Sequence, residues 1–445
     1  MYINKLIKIL FTRLDVTAIA LQKIIQGIVG LIIALLISTH VNLEYQGYFY
    51  TLVNLSAAYT LFDLGLSGLM VQVSASFFAK SKILYSDLKK QNLNNIFIDL
   101  IAWSRRYFFT MSLFTLIFIP IGYLFFLKSS SASSVNIVLI PLIMTIALSA
   151  FSIPAIAILS VIEGVGKINE SYGLRIVISI IGALLAASLI LSENALFAAG
   201  MIPLSTSLVS YSWAYIKYKN IFCFRGWSIK HRSIHWKVDL DFLRNKVKVT
   251  SIAVFIFQSG PTLFFFYFFS PHKAGQIGLS SSFLGIGSFI CSSFFIAKIP
   301  ELARLISSEK INDAKLLFIF EFKRALILTL AGYFTLLAFI YLLRNYDIGT
   351  RFLSPADMTL LIFNFITIHL VTLINSYSRC YGEEVMAKPF FFATTVGILI
   401  SILMHAFLDT FGMLLILNIS YLLICFPMII KYFSAINKPS GVLNV

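Results

Sequence analysis

Charge is scarce in this sequence: 12% of the 445 residues are charged, and only 19 of them are acidic. Soluble domains carry about 25% charged residues, so this chain cannot cover a water-facing globule of its own length. Cysteine is scarcer. Cys223, Cys291, Cys380 and Cys425 show neither metal-ligand nor redox spacing, and no disulfide framework is expected. Phosphate-binding loops are missing too: "EGVGKINES" at Glu163 to Ser171 has a Gly-Lys pair without the upstream glycine or the Ser/Thr that such a loop needs. No His-Glu metal motif, nucleophile elbow or paired-carboxylate loop occurs. The longest connectors, near Lys219 to Val249 and Arg344 to Asp357, are too short for a catalytic domain. The expectation is a chain with no catalytic residues, no metal and no cofactor, and not an enzyme.

Apolar residues supply the rest. They make up 59% of the chain, with a mean hydropathy of +0.89. They fall in continuous blocks rather than in the alternating pattern of a barrel strand. A hydrocarbon core about 30 Å thick takes roughly 20 residues per helix, and the blocks give about twelve spans: Val16 to Ser38, Gln46 to Phe78, Tyr107 to Leu127, Asn136 to Ile162, Ile176 to Leu191, Ala195 to Tyr218, Thr250 to Phe269, Gly275 to Ala297, Ala325 to Leu343, Met358 to Tyr377, Phe390 to Leu408 and Gly412 to Tyr432. The predicted class is an all-α integral membrane protein.

Basic residues set the orientation. With the amino terminus inside, 30 of the 35 Lys and Arg fall on the inner side and 4 on the outer side, with Lys23 inside a span. The positive-inside rule then places both termini in the cytoplasm. The net charge of +16 is accounted for by these loops and by attraction to anionic lipid, so no nucleic-acid partner is expected. "MYINKLIKILFTRLD" gathers Ile3, Leu6, Ile7, Leu10 and Phe11 on one helical face, as an interfacial helix does. No cleaved signal peptide is expected there, because the first long apolar run starts late and contains Lys23.

The chain also repeats. Lys80 and Lys298, Arg106 and Arg324, and Gly164 and Gly382 are each 218 residues apart, and "FFAK" answers "FIAK" at the same offset; Gly47 and Gly278 look like partners but break the register. Two six-helix halves, residues 1–218 and 219–445, around a central cavity are expected, a recurring transporter plan.

Polar groups inside the spans mark where that cavity would be wet. Ser56, Thr60, Asp63 and Ser67 share one helical face, as do His369, Thr372, Ser376 and Arg379. Lys23 and Gln26 lie on a face with Gly27 and Gly30, and Gln258 precedes the helix-weakening Gly260 and Pro261. A charge at mid-membrane costs about 2.5–3.5 kcal/mol and usually has a partner. Lys23 and Asp63 both fall in the cytoplasmic half of their spans, so an ion pair is one reading. The other is that Asp63 caps a helix restarted after a glycine break. His369 is a helix-packing group or a proton carrier, His405 and Asp409 an outer-end polar pair, and Phe264 to Phe269 an outer aromatic belt.

"EYQGYFYTLVNLSAAYTLFDLGLSGLMVQVSA" from Glu44 and "LSVIEGVGKINESYGLRIV" from Leu159 resemble the opening and the fourth-to-fifth span loop of the polysaccharide or O-antigen flippase family. That family lies within the multidrug, oligosaccharidyl-lipid and polysaccharide exporter superfamily. The resemblance implies movement of an undecaprenyl-diphosphate-linked oligosaccharide, an O-antigen or capsule repeat unit, from the cytoplasmic to the periplasmic leaflet of the bacterial inner membrane by alternating access. It also implies membrane lipids, a polysaccharide polymerase and a chain-length regulator as partners. In that frame Lys23 or Arg379 would attract the diphosphate, Gln26, Thr60, Gln258, Thr372 and Ser376 would line the substrate cavity, and Asp63 or His369 would couple an ion gradient. A multidrug or cation antiporter of the same superfamily is the rival reading. A membrane-embedded polymerase or acyltransferase is the rival of another class, but the large outer loop or His/Arg cluster it would need is not apparent.

Overall fold

The computed structural model describes residues 14–63, 65–71, 74, 95–129, 135–222, 235–296, 298–343 and 345–436. The amino-terminal surface helix expected from the sequence falls outside these residues, as does Cys223. Every regular element among the described residues is helical. The long helices are α1 (Leu14–His40), α2 (Leu43–Ser56), α3 (Asn95–Thr115), α4 (Phe118–Lys128), α5 (Val135–Gly164), α6 (Ile168–Leu191) and α7 (Met201–Phe222). They continue with α8 (His235–Phe268), α9 (Pro271–Ile296), α10 (Ile299–Ser307), α11 (Ile311–Leu343), α12 (Pro355–Ser378), α13 (Ala387–Leu403) and α14 (Thr410–Ile436). Nine helices among the described residues are long and apolar enough to cross a bilayer, and α13 is a shorter apolar one. Helices suit this environment because each satisfies its own backbone where no water can. The protein is thus an all-helical membrane protein of about twelve spans, as its hydropathy requires.

Local chemistry sets the helix ends. Ser354 accepts the Asp357 N–H at 3.2 Å and donates its hydroxyl to the Asp357 carboxylate at 2.8 Å, a reciprocal cap at the start of α12. Asp409 accepts the Gly412 N–H at 2.8 Å and caps α14. α2 does not run on as one rod. It tightens into a 3₁₀ turn at Ala57–Tyr59, resumes over Thr60–Asp63, and breaks at Gly65, whose φ of 74° is left-handed.

Packing divides the chain into two compact units, residues 1–29 with 55–248, and 30–54 with 249–445. In the first, α5 is the central helix, more than half buried, with α3, α4, α6 and α7 against it. In the second, α12 holds that place, flanked by α9, α11 and α14. These are the fourth and tenth expected spans, the same ordinal position in each proposed repeat.

Two expectations are corrected here. Phe264, Phe265 and Phe266 are buried in the second unit rather than presented as a lipid-facing belt. His405 and Asp409 do not pair: His405 bonds the Ile402 carbonyl at 2.8 Å and lies 4.4 Å from the Phe268 ring centre, while Asp409 is occupied by its cap.

Candidate functional site

A charged cluster lies where α5 turns into α6. α5 ends at Gly164, and Gly166 reverses the chain with a φ of 87°. Glu163 is thereby set beside the first turns of α6, where Tyr172 and Arg175 are three residues apart and share a face. Tyr172 donates its hydroxyl to Glu163 Oε1 at 3.0 Å, and Arg175 donates to Glu163 Oε2 at 3.0 Å. The guanidinium also lies 5.5 Å from the Tyr172 ring centre. Lys23 of α1 is partly buried and within electrostatic reach of Arg175 and Glu163.

One helical turn away a second carboxylate is enclosed. Glu170 takes Lys167 at 3.1 Å and is also bonded by Lys217 of α7, whose ammonium lies 5.9 Å from the Trp213 ring centre. Four cations, Lys23, Lys167, Arg175 and Lys217, thus lie around two carboxylates, Glu163 and Glu170. One donor also stands ready: the buried Nε–H of Arg175 has no acceptor. A guanidinium with a free edge beside an ammonium suits a phosphate-like anion, which accepts several charge-assisted hydrogen bonds at once.

The residues singled out from the sequence go to several places. In the first unit, Gln26 is exposed and accepts from Gln22 at 2.8 Å, and Thr60 returns its hydroxyl to the Ala57 carbonyl at 2.9 Å. Asp63 is buried and bonded to Ser67. No ion pair joins it to Lys23 among the described residues, so of the two sequence readings the cap is the one observed. Sequence reasoning did not single out Arg175, Glu163, Tyr172, Lys167, Glu170 or Lys217. Their signal was the charge density of "EGVGKINESYGLR" in a chain so poor in charge.

In the second unit, the stripe on α12 does not stay on one face. His369 and Ser376 are buried, whereas Thr372 and Arg379 are exposed. Thr372 and Ser376 bond back to their own helix, at 2.8 and 2.7 Å. Arg379 binds Glu384, which Thr250 of α8 also holds. Gln258 is exposed. His369 joins three helices: its Nε2 pairs with Thr329 of α11 at 3.0 Å and its Nδ1 with Ser288 of α9 at 3.3 Å. Tyr333 donates to the same Ser288 at 2.8 Å.

A narrow pocket lies in the second unit beside Phe257, Pro261, Asn364, Thr394 and Tyr421. Asn364 Oδ1 is unpartnered there. No group of three or more His, Cys, Asp or Glu side chains placed to hold a metal ion occurs among the described residues.

No protein-family model matches the sequence, and no curated protein matches it. Solved structures do resemble it. An inward-facing multidrug resistance transporter of the MATE family, in the MOP superfamily, superposes with a TM-score of 0.60 at 15% identity, covering 93% of this chain and all of that one (100%). A MATE multidrug transporter solved as a complex gives 0.61 at 12% identity over 94% of each chain. A MOP-superfamily transporter from Pyrococcus furiosus, whose binding pocket of reverse polarity is said to suggest a different function, gives 0.54 at 13% identity over 95% of this chain and 96% of that one. The fold of this chain is therefore the one these MOP-superfamily transporters share.

Proposed function

We propose that the chain is a transporter of the bacterial inner membrane that moves an anionic, lipid-linked glycan, an undecaprenyl-diphosphate-linked oligosaccharide, from the inner to the outer leaflet by alternating access. The observation that carries this reading is the gathering of Lys23, Arg175 and Lys217 at one end of the unit, with the open Nε–H of Arg175 among them. By the charge rule it lies at the cytoplasmic end of the first unit, where such a lipid is made available. A diphosphate cannot enter hydrocarbon unpaired, and this cluster offers it partners. The description of the Pyrococcus furiosus transporter supports the idea that this fold accommodates cargo other than cationic drugs. A polysaccharide polymerase and a chain-length regulator would be the partners that take up the product.

Multidrug export is the second reading, favoured by the MATE transporters among the structural neighbours. It sits poorly with Asp63, the buried carboxylate of the first unit among the described residues, whose oxygens are already engaged by Ser67. The test is a flipping assay in proteoliposomes, with a fluorescent polyprenyl-diphosphate glycan whose outer-leaflet fraction is quenched by dithionite. The wild-type protein should accelerate exchange and the Lys23→Gln, Arg175→Gln double variant should lose it. Export of a cationic dye with no glycan exchange would overturn the proposal.

A further inference from the structure

In the second unit, α11 is longer than a membrane crossing requires. Its 33 residues extend about 50 Å at 1.5 Å per residue, whereas roughly 20 residues cross the hydrocarbon. Counted back from Leu343, a crossing of about that length ends at Arg324. By the charge rule this is the inner side, so Arg324 stands where hydrocarbon gives way to headgroups. Arg324 is also one of the repeated basic residues, 218 positions after Arg106, and the transport reading leaves it without a task.

Two groups hold its guanidinium. Glu321, one turn earlier on the same helix, is buried; its Oε2 has no hydrogen-bond donor and lies 3.6 Å from Nη1 of Arg324. Phe294 of α9 sets its ring centre 5.2 Å from the guanidinium carbon. Burying a carboxylate is costly, and a contact of 3.6 Å with a half-exposed cation offsets little of that cost. What the arrangement secures is direction. With one edge toward Glu321 and one face on Phe294, the planar fork keeps its other N–H groups for the exposed side, and no other protein acceptor bonds them among the described residues.

The surface around this fork matches a phospholipid. Ile327 and Leu328, three and four residues on, share the face of Arg324 and are exposed, so apolar wall continues on the hydrocarbon side of the cation. Lys323 is exposed beside it. A phosphodiester accepts several bonds from a guanidinium at once. A zwitterionic headgroup would bring its ammonium toward Lys323, so the charges favour a headgroup that is net negative.

We propose that Arg324, oriented by Glu321 and Phe294, binds the phosphodiester of an anionic phospholipid of the inner leaflet, whose acyl chains lie along Ile327 and Leu328. The site is in the second unit and does not depend on the nature of the cargo. The test reconstitutes the full chain, with its four tryptophans changed to phenylalanine and Phe294→Trp as reporter, in phosphatidylcholine vesicles. A small fraction of brominated phosphatidylglycerol or brominated phosphatidylcholine is then included as quencher. The phosphatidylglycerol should quench as though enriched about fivefold, the worth of one basic residue at an anionic surface. The double variant Arg324→Gln, Glu321→Gln removes the cation without stranding its carboxylate and should bring the two lipids to parity. Arg324→Lys keeps the charge without the fork and should lose most of the enrichment. Equal quenching with Arg324 in place would overturn the site. So would enrichment that persists in the double or the lysine variant, which is diffuse attraction to a basic face, and so would displacement by an equimolar short-chain polyprenyl diphosphate, which assigns the groove to the cargo. Native mass spectrometry of the unsubstituted chain needs no reporter: phosphatidylglycerol should bind more tightly than phosphatidylethanolamine, and the double variant should lose a phosphatidylglycerol adduct. Equal binding of the two lipids by the unsubstituted chain would overturn the proposal.

Discussion

Ser67 donates both its backbone N–H, at 3.1 Å, and its hydroxyl, at 2.8 Å, to the carboxylate of Asp63. The helix that restarts at Gly65, where Leu69 N–H bonds the Gly65 carbonyl at 3.3 Å, has a first turn of N–H groups that no preceding carbonyl can reach. Asp63 supplies an acceptor for one of them.

This arrangement predicts that Asp63→Ala destabilises the protein by about 1–2 kcal/mol, the usual loss of a cap, and that Asp63→Asn retains most of the stability. Thermal unfolding in detergent, followed by circular dichroism, measures both. If the asparagine variant melts normally yet ceases to transport, the charge of Asp63 has a second role in ion coupling.

His369 spans α9, α11 and α12 through Ser288 and Thr329. Interhelical hydrogen bonds in membranes average about 0.6 kcal/mol and reach roughly 1.7. A double-mutant cycle with His369→Ala and Thr329→Val should return a coupling energy in that range. Zero coupling, together with a transport rate whose pH profile shifts in the Thr329→Val variant, would instead favour a proton-carrying histidine.

Gly182 and Gly68 make a matched pair of probes. A Cβ at Gly182 would meet Ser205 Oγ at 2.7 Å and Cα of Ile202 at 3.2 Å, whereas nothing lies within 4 Å of one at Gly68. Gly182→Leu should therefore separate α6 from α7 and cost more than about 2 kcal/mol, as overpacking of a tight core does. Gly68→Ala should be neutral or stabilising by about 0.5–1 kcal/mol. Yield of folded protein on size-exclusion chromatography separates the two outcomes.

Arg175 and lysine are not equivalent for a ligand with several oxygens. Arg175→Lys should weaken binding of a short-chain polyprenyl diphosphate by about tenfold or more, the scale of one charge-assisted hydrogen bond, with little change in melting temperature. Fluorescence titration at two salt concentrations tests this. Unchanged affinity would place the diphosphate elsewhere.

Much of this architecture is legible in the residues because hydropathy is a sum over some twenty positions, and the sum survives local errors. The expected span Asn136 to Ile162 is observed as Val135–Gly164, and Met358 to Tyr377 as Pro355–Ser378. Side-chain partnerships are not sums. Periodicity put His369, Thr372, Ser376 and Arg379 on one face, yet the faces of α12 are assigned by three neighbouring helices, and only His369 and Ser376 turn inward. The α5 to α6 cluster escaped notice because Lys23 is some 140 residues from Glu163, and no spacing rule links positions so distant. The length of the second apolar block calls for a tilt, a kink at Gly65 or Gly68, or a run along the inner surface; the choice of Gly65, and of the acceptor that serves the restarted helix, depended on local geometry.

The central position of α5 also bears on how the chain is made. The ribosome releases α5 into the membrane before α6 and α7 exist, so its inward serines and threonines first face acyl chains. Thr145 and Ser149 still have no acceptor in the finished fold, while Ser152 turns back to the Ser149 carbonyl at 2.8 Å. A mean hydropathy of 2.3 over an eighteen-residue stretch of this helix is what lets it wait in lipid, unpartnered, until translation delivers the neighbours that enclose it.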